Sequence, residues 1–386
     1  MKVYLIAGES SGDYLGSELM SGLRKLYSDI RFYGVGGPLM EGKGLSSLFP
    51  MNELSLMGLF EIIPKLPSLI KRKNEVINNI ISIKPDILIT IDSPDFTLRV
   101  AKAVKRKTNI KIIHYVAPTV WAWRKGRARR MKKYIDHVLA LFPFEPKILE
   151  KSGLKSHFVG HPITTSLIAT SSEVSKFRDK YNIRNKRLLL VLPGSRHSEV
   201  KKLIGTFEKS LMLVNEQFPD HELIIPTTKN VERFVQSATS RWTKKPVIIS
   251  SSNVSEKRAA FYEAEVALAA SGTVSLELAF NSVPMVIAYD FNIFSRIIMN
   301  YLLKIESVCL VNIVTGSKVI PEFLGEKCRP DEIANALIRL ISDKNLRNAQ
   351  KKVQESCIKA LGTKFKNSEN YLPAYKVFEI ITNKSE

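Results

Sequence analysis

Short apolar runs alternate with longer stretches of helical period along most of this chain, the pattern of parallel sheets covered by helices. In the first half, residues 2–7, 31–35, 86–91, 111–116, 137–141 and 157–159 predict strands. Residues 14–26, 69–83, 97–107 and 124–134 predict the helices between them. Gly160-His161-Pro162 then breaks the rhythm, and a polar stretch over 170–175 follows it. The alternation restarts with strands at 187–192, 223–226, 247–250, 266–269 and 285–288 and a helix at 198–216, and from Pro330 onward the pattern is helical. The expected fold is α/β, with two Rossmann-like doubly wound domains facing a cleft. The first spans 1–165 and the second 166–345, and the helices of 346–386 are expected to pack back towards the first.

Composition narrows the setting. The chain has 386 residues, enough for two cores, and 45% hydrophobic with 25% charged residues is a globular balance. Lys and Arg exceed Asp and Glu by enough to leave a net charge of +21, which calls for an anionic partner: nucleic acid, an acidic membrane surface or a phosphorylated substrate. Cys309, Cys328 and Cys357 are few, spread out and odd in number, which suits a reducing cytoplasm rather than a disulfide framework or a zinc site. The apolar start is too short for a signal peptide, and no run of about eighteen apolar residues exists to span a bilayer.

Four strand-to-helix turns carry the candidate chemistry. Gly8-Glu9-Ser10-Ser11-Gly12-Asp13 follows the first strand; it lacks the glycine spacing of a dinucleotide fingerprint and the lysine of a P-loop. Glu9 and Asp13 are acceptors suited to sugar hydroxyls, although Asp13 could equally be a helix N-cap. Asp92-Ser93-Pro94-Asp95-Phe96 ends an apolar strand, where ligands of open parallel sheets gather, so Asp92 and Asp95 are candidates for a general base and its orienting partner. The alternative for Asp95 is the N-cap of a helix starting at Phe96.

In the second half, Gly194 and Ser195 allow close backbone approach while Arg196 offers a fork of donors for a phosphate. Ser271, Gly272 and Thr273 open a further helix with amides and hydroxyls, and Glu277 one turn later could accept from a ribose. Together with Arg196 these favour a nucleoside-diphosphate site. No His, Cys or carboxylate group has metal-ligand spacing, so no catalytic metal and no cofactor are expected. His114 reads as a core residue, and His161 as a hinge or cleft residue.

Two stretches suggest a membrane. Met57, Leu59, Phe60, Ile62, Ile63, Leu66 and Leu69 form an apolar segment at helical spacing, despite Pro64 and Pro67, ahead of Lys71-Arg72-Lys73. A core-packed helix would look the same. Behind Trp121 and Trp123, seven cations occupy residues 124–133, a density that argues for an anionic partner without naming it.

With these residues in hand, the chain resembles the bacterial lipid-A-disaccharide synthase family. The resemblance rests on residues 7–13, Gly34-Val35-Gly36-Gly37-Pro38, Asp92-Ser93-Pro94-Asp95-Phe96, residues 115–123 and Phe142-Pro143-Phe144-Glu145. It continues through Val159-Gly160-His161-Pro162, Leu192-Pro193-Gly194-Ser195-Arg196, Ala270-Ser271-Gly272-Thr273 and Val311-Asn312-Ile313, in family order over roughly residues 1–330. Ser10 replaces the Ala of the family's Glu-Ala-Ser, and Gly325 stands where Gln is expected.

The resemblance implies a GT-B fold with the acceptor in the first domain and the nucleotide sugar in the second. The implied reaction joins UDP-2,3-diacylglucosamine to 2,3-diacylglucosamine 1-phosphate in a β-1′,6 linkage, with inversion, and releases UDP. On that reading Asp95 is the base, Asp92 orients it, Glu9 and Asp13 place the sugar, and Asn312 completes the nucleotide side. The enzyme would sit on the anionic cytoplasmic face of the inner membrane, would not bind nucleic acid, and is compatible with a homodimer. Rival readings are a UDP-sugar epimerase or another GT-B transferase on the same fold. A nucleic-acid-binding protein lacks a recognition motif here, and a nicotinamide dehydrogenase lacks its glycine fingerprint.

Overall fold

The computed structural model describes residues 1–54, 59–118, 125–290, 307–362 and 372–382, the side chains of 59–66 and 125 excepted. The chain forms two compact units, Met1–Pro162 with Leu361–Glu386, and Ile163–Ala360.

The first unit is built on seven parallel strands: β1 (Lys2–Ala7), β2 (Arg31–Val35), β3 (Ser46–Ser47), β4 (Ile87–Ile91), β5 (Lys111–Tyr115), β6 (His137–Ala140) and β7 (Lys155–Phe158). Their order is β3-β2-β1-β4-β5-β6-β7. Both faces of the sheet are covered, so β1 and β4 are apolar almost throughout, as buried parallel strands must be. Side-chain alternation splits them between two layers. Tyr4 and Ile6 join Val76, Ile80, Val100 and Val104 from helices α3 (Leu59–Ile83) and α4 (Pro94–Lys107), while Val3, Leu5 and Ala7 join Leu15, Leu19 and Leu23 of α1 (Ser10–Leu26). The short helix α2 (Pro38–Glu41) follows β2. The last helix, Leu372–Thr382, buries Ala374 and Val377 in the α1 layer.

The second unit repeats the plan with β8 (Arg187–Leu192), β9 (His221–Pro226), β10 (Val247–Ile249), β11 (Ala264–Ala269), β12 (Met285–Tyr289) and β13 (Glu322–Leu324), all parallel and ordered β10-β9-β8-β11-β12-β13. The helix Lys344–Leu361 belongs here. Gln350, buried, exchanges two hydrogen bonds with the backbone of Met285, donating at 3.1 Å and accepting at 2.7 Å, and Gln354 donates to the Val283 carbonyl at 2.6 Å.

Several sequence expectations need correction in detail. The edge strands β3 and β13 are too short to show an apolar pattern, and helix α3 starts at Leu59 rather than 69, running through Pro64 and Pro67. Helix α4 starts at Pro94, so Asp95 lies inside its first turn and Ser93 is the N-cap. What positions the chemistry is strand order. It reverses between β1 and β4, with Ala7 beside Ile91, and between β8 and β11, with Leu192 beside Ala269. Connections leave in opposite directions at each reversal, opening a crevice at the carboxyl ends of the two strands.

Candidate active site

At the first reversal, the turns after β1 and β4 pack directly on each other. A Cβ on Gly8 would lie 2.7 Å from Ser93 Oγ and 3.0 Å from its Cβ, so a side chain there would force Ser93 to shift. Asp92 and Ser93 both have left-handed backbones, with φ of +50° and +43°, and at the adjacent end of β5 the β-branched Val116 has φ of +76°. Such conformations are costly for non-glycine residues and concentrate at functional sites. Nothing in the apolar pattern of the sequence announces them.

The four carboxylates expected here divide into different environments. Glu9 sits at the exposed N-cap position of α1. Asp13 is 3% exposed, and its Oδ1 accepts from the amides of Gly37 and Met40 while Oδ2 accepts from that of Leu39, at 2.9 to 3.0 Å. It therefore caps α2 from within α1, neither the sugar contact nor the cap of its own helix that the sequence suggested. Asp92 is half-buried at the strand end, 3.5 Å from the Ser11 hydroxyl. Burial pushes its carboxyl above the ordinary range, partly offset by the Ser93 amide and Ser11. Asp95 is exposed and accepts a charge-assisted hydrogen bond from Arg127 at 3.0 Å. Behind them His114 is fully buried, its Nδ1 2.8 Å from the Thr90 hydroxyl, and burial with the nearby Arg127 charge holds its pKa down to about 3.

For the membrane segment, the side chains of Met57, Leu59, Phe60, Ile62, Ile63 and Leu66 lie outside the described residues, as do Trp121, Trp123 and Arg124. Leu69 packs against the core of the first unit, while Ile70 is 47% exposed. Arg72 is committed internally: it bonds Glu53 and Glu75, each at 2.7 Å, and lies over the Phe49 ring.

At the second reversal a cavity of about 350 Å³ opens between the turns after β8 and β11. Gly194, Ser195, Arg196, Ser271, Gly272, Thr273 and Glu277 all line it, so seven of the eight residues expected to bind a nucleotide share one space. Gly194 has φ of +125°, and a Cβ there would sit 2.9 Å from that of Glu199. Glu199 organises this loop: Oε2 accepts from the Ser195 and Arg196 amides at 3.3 and 3.4 Å, and Oε1 from the Arg196 guanidinium at 3.0 Å. Its place three residues into the first turn was the signal that could have found it. Thr227 and Thr228, beyond the end of β9, also line the cavity, as does Lys257, which pairs with Glu277 at 2.6 Å.

Asn312, the eighth, does not line this cavity. It is 2% exposed; its Nδ2 donates to the Ile320 carbonyl and to Glu322, and its Oδ1 accepts from the Ile320 amide and the Ser317 hydroxyl. The side chain ties helix Leu310–Thr315 to the edge strand β13. Among the described residues, no three His, Cys, Asp or Glu side chains gather to hold a metal ion, and no helix is long and apolar enough to cross a membrane.

Comparison with solved structures supports the architecture. The chain matches a Staphylococcus aureus MnaA–UDP structure with a TM-score of 0.68 at 14% identity, covering 99% of this chain and 96% of that one. It matches a glycosyltransferase from Rickettsia africae with a TM-score of 0.60 at 15% identity, covering 100% and 99%. At such identities the likeness speaks for the fold, an α/β GT-B arrangement. Whole-chain sequence similarity is more specific. The chain is 46% identical to the lipid-A-disaccharide synthase of Ruegeria pomeroyi, over 89% of this chain and 87% of that protein. It is 42% identical to that of Rhodospirillum centenum, over 90% and 87%. The family described as lipid-A-disaccharide synthetase matches residues 3–375, and the chain belongs to that family.

Proposed function

We propose that the family's reaction, formation of the lipid A disaccharide, divides between the two sheet reversals as follows. UDP-2,3-diacylglucosamine is the donor and 2,3-diacylglucosamine 1-phosphate the acceptor, and the β-1′,6 product forms with inversion as UDP leaves. Asp95 removes the proton from the acceptor 6-hydroxyl as that oxygen attacks the anomeric carbon in line. Its exposure gives a substrate hydroxyl access to the carboxylate. Asp92 orients the hydroxyl or its neighbour, Glu9 holds the sugar, and Asp13 keeps the turn before α2 in place.

In the second unit, Arg196 and the amides of Ser271 to Thr273 meet the charge that develops on the leaving diphosphate. Glu277 holds the ribose, and Lys257 exchanges its ion pair with Glu277 for a phosphate oxygen. The observation that carries this reading is the gathering of Gly194, Ser195, Arg196, Ser271, Gly272, Thr273 and Glu277 around one cavity at a topological switch point. That a solved structure of the same fold is a complex with UDP agrees with a uridine nucleotide there.

The acylated substrates put the enzyme at a lipid surface. We assign that contact to residues 57–70 and the cations that follow, on the anionic cytoplasmic face of the inner membrane; the exposed Ile70 at the end of the segment supports it. Cosedimentation with anionic vesicles, lost on Ile62→Glu with Ile63→Glu, tests this, and sedimentation velocity separates a monomer from the homodimer.

The reaction itself is tested by UDP release from donor plus acceptor in detergent micelles with chelator. Turnover that requires the acylated acceptor supports the transfer. UDP release or sugar epimerisation without acceptor would overturn it.

A further inference from the structure

At the strand ends opposite the first reversal, the first unit carries a surface cavity of about 880 Å³ at the amino ends of β5, β6 and β7. Lys111 of β5, Lys155 of β7, Lys132 and Glu150 line it, and the last helix contributes Lys376 and Glu379. The carboxylates are mostly spent. Asp136 bonds Lys105 at 2.7 Å and the Ile112 amide at 2.7 Å, and Glu379 pairs with Lys376 at 2.9 Å. Lys111 donates to the Ile380 carbonyl at 2.6 Å. Among the described residues, Lys111, Lys132 and Lys155 have no carboxylate within ion-pair distance, which leaves Glu150 alone against three ammonium groups.

In the midst of these cations lie two bases. His137 and His157 stack with ring centroids 5.3 Å apart, and His137 Nδ1 is 3.1 Å from His157 Nε2. One ring must donate to the lone pair of the other, so the pair holds at most one positive charge while keeping that bond. The surroundings disfavour a positive charge on either ring: burial and then Lys376 bring His157 down to about 4, and burial and then Lys155 lower His137, against the opposing pull of Asp136 and Glu379. Uncompensated cations around a proton-accepting pair make an arrangement that an entering anion reverses in sign.

We propose that this cavity binds a phosphate monoester through Lys111, Lys132 and Lys155, and that the His137–His157 pair takes up one proton from solvent as the dianion enters. The proton goes to the nitrogen outside the shared hydrogen bond, which becomes N–H⁺···N and survives. Binding then tightens as pH falls, by up to about tenfold per pH unit where one proton is linked to one ligand. The cavity lies at the strand ends opposite those that carry Asp92 and Asp95.

The test uses the full chain with labelled histidine, whose six side-chain signals report separately. Inorganic sulfate is the first probe, because its charge does not change while histidine titrates, so any pH slope belongs to the protein. Glycerol 3-phosphate and phosphatidic acid in phosphatidylcholine vesicles then distinguish a free ester from a lipid headgroup. Saturable movement of the His137 and His157 signals by either supports the site. Lys132→Gln with Lys155→Gln should weaken binding at least about tenfold, while His137→Gln keeps binding and flattens its pH slope. Signals of the pair that stay still with all three probes, or a response confined to His197 near the nucleotide cavity, would overturn the proposal.

Discussion

The guanidinium of Arg127 lies 3.0 Å from the carboxylate of Asp95, and the two differ sharply in exposure: 17% for the arginine side chain and 78% for the aspartate. An exposed pair of this kind contributes about 0–1 kcal/mol to stability, so its consequence is orientation. The less exposed partner comes from helix Lys125–Met131, whose Ala128 and Met131 are anchored in the core, and it fixes where the exposed carboxylate at the start of α4 points. Asp95→Asn should therefore lower kcat by roughly a hundredfold or more while leaving UDP affinity and melting temperature unchanged. Arg127→Gln should lower kcat by about tenfold, also without a change in UDP affinity. Steady-state kinetics with both variants decide it; full turnover by Asp95→Asn would move the base to another carboxylate.

Asp92 pays for its place in the strand end. Its folded-state pKa is raised by burial, so the folded protein binds the proton more tightly than the unfolded chain. The sign is then fixed: the stability it contributes is greatest at acidic pH and falls as pH rises from the ordinary aspartate value through the raised one. Asp92→Asn removes the charged form. It should raise the melting temperature at neutral pH, with the gain shrinking as pH approaches the ordinary aspartate range, while turnover falls. A melting temperature for Asp92→Asn that drops at neutral pH would contradict this assignment.

Asn312 and Gly194 separate structural from ligand-binding contributions in the second unit. Asn312→Ala leaves Ile320 and Glu322 short of partners, at about 1–3 kcal/mol for each buried group stranded. It should destabilise the protein yet leave the UDP dissociation constant of the folded fraction within about twofold. Gly194→Ala forces a side chain into a backbone region costing about 1–3 kcal/mol and against Glu199, at the mouth of the cavity. Here UDP affinity should fall with stability. Calorimetric titration of UDP into both variants distinguishes the two outcomes.

How much of this was legible depended on whether a feature leaves a periodic trace. Strands β1, β2 and β8 are apolar almost end to end because both their faces are covered, and their bounds could be read directly. So could the turns at Gly8, Asp92, Gly194 and Ser271, since glycine and polar residues interrupt the apolar runs there. Strand order could not be read, yet it is what brings Gly194 and Ser271 together across some seventy-seven positions of sequence. Asp13 looks like a site residue in one dimension because it is polar and follows Gly12 in a strand-to-helix turn, and Asn312 is expected at the site only through the family resemblance. Only in three dimensions are the Asp13 oxygens seen to be taken by three backbone amides and the Asn312 oxygen by the Ile320 amide and the Ser317 hydroxyl. The left-handed backbones of Asp92, Ser93 and Val116 have no compositional mark at all, as none is glycine.

The histidines set the acid limit of the fold. His114 is wholly buried with its pKa near 3, and burial holds His161 at about 4, so both fold as neutral rings. Because these values are depressed, the unfolded chain binds more protons than the folded one between the depressed values and the ordinary histidine value. Stability is therefore full above about pH 6.5 and is lost as pH falls, at about 1.4 kcal/mol per pH unit for each such ring. Urea unfolding across that range should show the slope. His114→Asn, which keeps a hydrogen-bonding atom near the Thr90 hydroxyl, should lessen it by one ring's share although it costs packing at neutral pH. An acid slope identical in His114→Asn and the unaltered chain would mean that His114 binds its proton equally well folded and unfolded, and that burial does not depress it.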